Sequence, residues 1–208
     1  MRVTILLDRP EFLRSLQRPF RPGRSSSSGV RFRALSTWRD LEEDVRGGGC
    51  DLAVLDPFVG SDAGGAHGNL VRLERLAPEW DRDRLIILLP HADVVPKTIP
   101  DLGLSGFTFL LIHGIDDHPN AVVRALARAR GRQLLRERWR ARCPGISEEK
   151  AGLLLDMVAG WPPVGSAREL ATRFHVSRRT LHRRLNKENL PSPGRLVSCG
   201  RLLEVCVL

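Results

Sequence analysis

The sequence predicts an α/β chain in which a parallel five-stranded sheet with helices on both faces is followed by a long linking helix and a small all-α module. Three observations predict it. Short, near-continuous apolar runs recur through residues 3–112, segments with helical spacing lie between them, and the excess positive charge is confined to residues 119–208. Near-continuous apolarity over four to six residues suits a strand buried on both faces, and its alternation with helical spacing suits a parallel sheet.

The first strand is VTILL at 3–7, followed by helical spacing at Phe12, Leu13 and Leu16. VRFRAL at 30–35 alternates polar with apolar, as expected near a sheet edge, and Trp38, Leu41 and Val45 repeat at helical intervals. LAVL at 52–55 is the third strand, and Leu70, Leu73, Leu76 and Ala77 mark the next helix. LIILL at 85–89 and FTFLLI at 107–112 complete the set. SSSSG at 25–29 and GSDAGGAHG at 60–68 are rich in Gly and Ser and are expected as loops.

In open parallel sheets, ligands collect at the carboxyl ends of the strands. Here Asp8, Asp56, the Pro90-His91 pair and His113 stand at those ends. DLAVLDP at 51–57 resembles the phosphoacceptor strand of the receiver domain of two-component response regulators. That resemblance implies a flavodoxin-like, receiver-like domain with Asp56 as candidate phosphoacceptor and Asp8 as one member of an acidic pair. Arg9 takes the place of the second acid, where a divalent ion needs oxygen ligands. No Ser or Thr follows LIILL, and His113 or Gly114 stands where the family has Lys. The domain is therefore expected to be a pseudo-receiver used for regulation or dimerisation. The simpler reading of Asp56 is a turn residue before Pro57.

Nothing in the same half points to an enzyme. There is no GxGxxG after the first strand, no P-loop, no GxSxG and no Cys–His constellation, and the GGG at 47–49 precedes a strand. Cys50, Cys143, Cys199 and Cys206 make no CxxC and lie far from any His at zinc-ligand spacing, so no metal and no cofactor is expected. The N-terminus lacks the pattern of a signal peptide, and no apolar stretch reaches membrane-spanning length. A reduced, cytoplasmic protein with no membrane partner is expected.

Residues 1–118 carry 15 basic against 17 acidic side chains, and residues 119–208 carry 18 against 7, so the net +9 divides into −2 and +11. An Arg-rich composition alone does not explain the split, because the first part has arginines and balances them. Such asymmetry suits a polyanion partner for one part only, since cations that neutralise phosphates release condensed counterions. Residues 119–143 show apolar positions at Val122, Val123, Leu126, Ala127, Leu134, Leu135 and Trp139, which predicts one long amphipathic helix through Gly131, ended by Cys143-Pro144-Gly145. Its arginines are expected as a solvated surface. Its apolar seam also suits the coil of a homodimer.

Beyond it, Ser147 with Glu148 and Glu149 begins a helix carrying Leu153, Leu154, Met157 and Val158. WPPVG at 161–165 ends that helix, and Ser166 with Glu169 forms a capping box for the next. His175-Val176-Ser177 makes a turn, and Ser177 caps a second helix with Leu181 and Leu185 inward. The spacing is that of a helix-turn-helix: Ala171 is small where the helices cross, and Val176 plugs the turn. Helical geometry then turns Arg178, Arg179, His182, Arg183 and Asn186 outward, a set able to donate to guanine, pair with adenine and meet phosphates.

ARELATRFHVSRRTLHRRLNKE at 167–188 and NLPSPGRLVSCGRLLEVCVL at 189–208 resemble the first helix-turn-helix and following link of the AraC family of transcriptional regulators. The resemblance covers about one fifth of the chain. It implies that Ser177, Arg178, Arg179, His182 and Arg183 face double-stranded DNA; with Asn186, outward by helical geometry, and Lys187 they make the candidate DNA-binding set of a recognition helix at about 177–187. Pro193 would sit in the loop before the link. The family carries two such units, so either the protein continues beyond Leu208 into a second one or dimerisation supplies it.

The expected organisation is a receiver-like domain at 1–118, a basic linker helix at 119–145 and a DNA-binding domain at 146–208. The expected function is sequence-specific DNA binding by a transcriptional regulator. The alternative is a helical module that binds an acidic protein. RNA is disfavoured because Tyr is absent and Trp38, Trp80, Trp139 and Trp161 are dispersed, which leaves no stacking platform.

Overall fold

A computed structural model describes residues 1–8, 10–17, 29–59, 65–89, 107–115, 118–143, 145 and 147–206. Five parallel strands form one sheet: β1 Arg2–Leu6, β2 Arg31–Leu35, β3 Leu52–Leu55, β4 Leu85–Leu89 and β5 Phe109–Ile112. Their order is β2-β1-β3-β4-β5, the flavodoxin-like order with its switch between β1 and β3. Val3 pairs with both Phe32 and Leu52, and Ile86 pairs with both Val54 and Phe109, so the register runs continuously across the sheet.

The apolar runs become the inner strands. All residues of β3 and β4 are buried, as purely parallel pairing requires of strands covered on both faces. The alternating VRFRAL becomes β2, an edge strand exposed at Arg31, Arg33 and Ala34. Among the described residues of this part, the α-helices before β4 are α1 Pro10–Gln17, α2 Trp38–Arg46 and α3 Gly65–Trp80. Leu6, Ala53, Leu55, Leu85, Ile87 and Leu89 pack with Trp38, Leu41, Leu73 and Leu76, which places α2 and α3 on one sheet face. The chain moves in opposite directions along the sheet after β1 and after β2, so right-handed crossovers place α1 on the other face.

Two differences from the sequence expectation concern element bounds. The helix α3 begins at Gly65, inside the stretch expected as a loop. The last strand is shorter than FTFLLI, since Phe107 is buried in the core before the ladder with β4 starts.

The long helix is α4, Pro119–Arg142, unbroken at Gly131. The chain divides into two compact units at Ala129/Arg130, within this helix. In the first unit, Val122, Ala125, Leu126 and Ala129 of α4 are buried. The second unit holds the distal part of α4 with α5 Glu148–Ala159, α6 Ala167–Arg173, α7 Arg178–Lys187 and α8 Pro193–Cys206. Its core joins Leu154, Met157 and Val158 of α5, Leu170 and Ala171 of α6, Leu181 and Leu185 of α7 and Leu196 and Val197 of α8.

The expected solvated arginine surface fails at two positions of α4, where Arg128 and Arg132 are buried. Arg132 meets Asp156 of α5 at 2.6 Å, so the carboxylate offsets the cost of burying that cation. The apolar seam that suggested a dimer coil is covered within the unit at Leu135 and Trp139, which pack on the helical core. At Gly131 a Cβ would stand 3.2 Å from the Leu203 side chain, a tight contact that Leu203 would have to ease by a few tenths of an ångström, so α8 packs closely on α4 here.

Candidate nucleic-acid interface

Local chemistry sets the two helices that carry the basic side chains. Ser166 caps α6, its hydroxyl oxygen accepting the N–H of Glu169 at 3.1 Å. The carboxylate of Glu169 accepts the Ser166 hydroxyl at 2.9 Å and the N–H of Gly165 at 2.8 Å, one residue earlier than the standard capping box reaches. The Gly165 bond first, and the Ser166 bond second, hold this carboxyl below the ordinary carboxylate range. Arg201 of α8 donates to the Gly165 carbonyl, which ties the start of α6 to α8.

The turn that follows is a Schellman motif. His175 N–H donates to Thr172 at 3.0 Å and Val176 N–H to Ala171 at 3.1 Å, satisfying carbonyls that a helix end leaves open. This requires His175 in the left-handed region, at φ 51°. The motif needs a positive φ, which His adopts more readily than most side-chain-bearing residues, and the His175 side chain is exposed. Val176 packs on the helical core beside Phe174, as a turn plug should.

Ser177 then caps α7, accepting the N–H of Thr180 at 3.1 Å. Leu181 and Leu185, each 2% exposed, fix the inward stripe of α7. A second Schellman motif closes its far end, where Leu190 N–H donates to Leu185 at 2.9 Å and Asn189 sits at φ 55°.

With both ends and the inner stripe fixed, the outward face is determined. Arg178, Arg179, His182, Arg183 and Asn186 are all exposed and together line one shallow, open concavity. Along this face, Asn186 Nδ2 lies 3.3 Å from His182 Nδ1. Lys187 and Ser177 do not line that concavity. Ser177 spends its hydroxyl on the cap, and Lys187 turns with Arg184 toward a groove between α5 and α7 lined also by Lys150, Leu153 and Glu188. The groove is signalled in the sequence only by the i to i+3 placement of Arg184 and Lys187. Across it Lys150 meets Glu188 at 2.5 Å, which lowers the Glu188 pKa.

In the first unit, Asp56 follows β3 and is 6% exposed, whereas Asp8 after β1 is exposed. The Asp56 carboxylate accepts the N–H of Phe58 at 2.8 Å, and its own N–H donates to Leu6 at 3.0 Å. The turn is further held by Trp38 Nε1 and Asn69 Nδ2, which both donate to the Val59 carbonyl, at 2.9 and 3.2 Å. His113 continues the ladder by donating to Leu89 at 2.8 Å. Arg9, Pro90 and His91 lie outside the described residues, as does most of the SSSSG stretch. Among the described residues, no three His, Cys, Asp or Glu side chains cluster as metal ligands would, and no helix is long and apolar enough to cross a membrane. The Cys50 thiol is pushed up to about 11 by burial.

No protein-family model and no curated protein matches this sequence. Among solved structures, full-length FixJ from B. japonicum aligns over 97% of this chain and 97% of its own, at 16% identity and a TM-score of 0.40. The fold assignment rests on strand order and register rather than on that likeness.

Proposed function

We propose that this chain is a sequence-specific DNA-binding transcriptional regulator that acts by binding rather than catalysis. In this reading α7, capped by Ser177, is the recognition helix of an AraC-like helix-turn-helix and enters the major groove of double-stranded DNA. The flavodoxin-like unit serves as a pseudo-receiver for regulation or dimerisation.

One observation carries the proposal: Arg178, Arg179, His182, Arg183 and Asn186 converge on the solvent face of a helix whose opposite face is anchored by Leu181 and Leu185. Without that anchoring, a run of arginines is only a solvated surface. With it, guanidinium groups able to grip guanine or phosphate share one rigid face with the carboxamide able to pair with adenine. Arg178, Arg179, Arg183 and Asn186 are assigned to bases and phosphates, and His182 to base edges. Ser177, whose hydroxyl serves the cap, and Lys187, which lines the groove beside α5, stand at the two ends of α7 outside that shared face.

The test is enrichment of the full chain's targets from a pool of duplexes with a randomised core. The regulator reading expects a shared sequence to emerge within a few rounds. A pool retained without any sequence preference would refute it and favour the module that binds an acidic protein.

A further inference from the structure

The roles just assigned treat His182 and Asn186 as independent readers, but their contact makes them partners. Asn186 Nδ2 and His182 Nδ1 are 3.3 Å apart, four residues apart on the exposed face of α7. A carboxamide nitrogen carries two N–H donors and no lone pair able to accept, because that pair is delocalised into the carbonyl. The ring nitrogen is therefore the acceptor. A neutral imidazole with an unprotonated Nδ1 carries its proton on Nε2. One contact thus sets two polarities: His182 presents a donor at its outer nitrogen, and Asn186, tethered through one N–H, keeps its carbonyl oxygen and its second N–H for a ligand.

We infer that His182 and Asn186 read DNA as a single hydrogen-bonded unit, Asn186 taking adenine and His182 a hydrogen-bond acceptor on the neighbouring base pair. This rests on α7 being the recognition helix. Adenine offers an acceptor at N7 and a donor at N6, the complement of the free carboxamide edge, while guanine N7 or O6 and thymine O4 accept from an Nε2–H. The polar atoms of the two side chains lie 3.3 Å apart, against about 3.4 Å per base pair, so the pair addresses neighbouring base pairs instead of one. Arg178, Arg179 and Arg183 line the same concavity and supply its positive charge. Each member of the pair holds the other against rotation, so truncating either one releases both.

The test uses the full chain and the duplex enriched from the random pool, with His182→Ala, Asn186→Ala, the double variant and Arg183→Ala. Each single truncation of the pair is expected to weaken binding about 10- to 100-fold, with the double no more than about 3-fold weaker than the worse single. Asn186→Ala is expected to relax base preference at two adjacent positions. Effects that multiply, or relaxation at one position only, overturn the pairing while leaving DNA reading intact, provided Arg183→Ala still loses affinity. Affinity unchanged in Arg183→Ala, or a pool that yields no sequence, overturns both. A readout without DNA stands beside these: long-range nitrogen–proton correlation at about pH 8, where imidazole is ordinarily neutral, should show His182 as the Nε2–H form alone in the wild type and a mixture in Asn186→Ala. An Nδ1–H ring in the wild type overturns the pairing.

Discussion

The N–H of Val176 donates to the carbonyl of Ala171 at 3.1 Å, closing α6 and setting the angle at which α7 departs. The bond exists only because His175, between them, adopts φ 51°. A β-branched side chain there crowds the carbonyl, at a cost of about 1–2 kcal/mol. His175→Val should therefore lower the unfolding free energy measured by denaturant titration by about 1–2 kcal/mol, whereas His175→Gly should stay within ~0.5 kcal/mol, because relief of the backbone is offset by the larger unfolded-state entropy of Gly. Equal stability of the two variants would contradict the turn as described.

The Glu169 carboxylate gives the start of α6 a dependence on acid. Its folded-state pKa lies below the usual 4.5, so its contribution is present above that value and is lost as pH falls through the lower folded value. Glu169→Gln should be less stable than the wild type near neutrality, and the gap should narrow as pH falls below 4.5. Thermal melts at several pH values check this, and a gap constant through the acid range would contradict it.

Asp56 is expected to remain unmodified by acetyl phosphate and magnesium. Its carboxylate accepts the N–H of Phe58 in a buried turn, and the neighbour of Asp8 in sequence is Arg9 instead of a second metal-binding acid. Intact-mass spectrometry decides the matter, and a phosphoryl adduct lost in Asp56→Asn would make the domain a working receiver.

The sheet is legible in the sequence because its inner strands have no solvent-facing side: LAVL and LIILL are apolar throughout and wholly buried. The orientation of α7 is legible because Leu181 and Leu185 leave one inward solution. Burial of Arg128 and Arg132 is not legible, since a guanidinium enters a core only where a partner on another element meets it, and Asp156 lies 24 residues from Arg132. The closeness of α4 and α8 at Gly131 and Leu203 is hidden for the same reason: a glycine within a helical pattern does not announce what fills its space. The His182–Asn186 contact has the i, i+4 spacing, but its polarity follows only from which amide atom faces the ring.

The central claim is that the outward face of α7 grips DNA, and the salt dependence of binding tests it most directly. Affinity for the enriched duplex should fall steeply with salt in the wild type. Arg178→Ala and Arg183→Ala, both exposed and outside the core, should each weaken binding by about 1–3 kcal/mol with unchanged melting. Full affinity in both folded variants, or binding indifferent to salt, would contradict the claim.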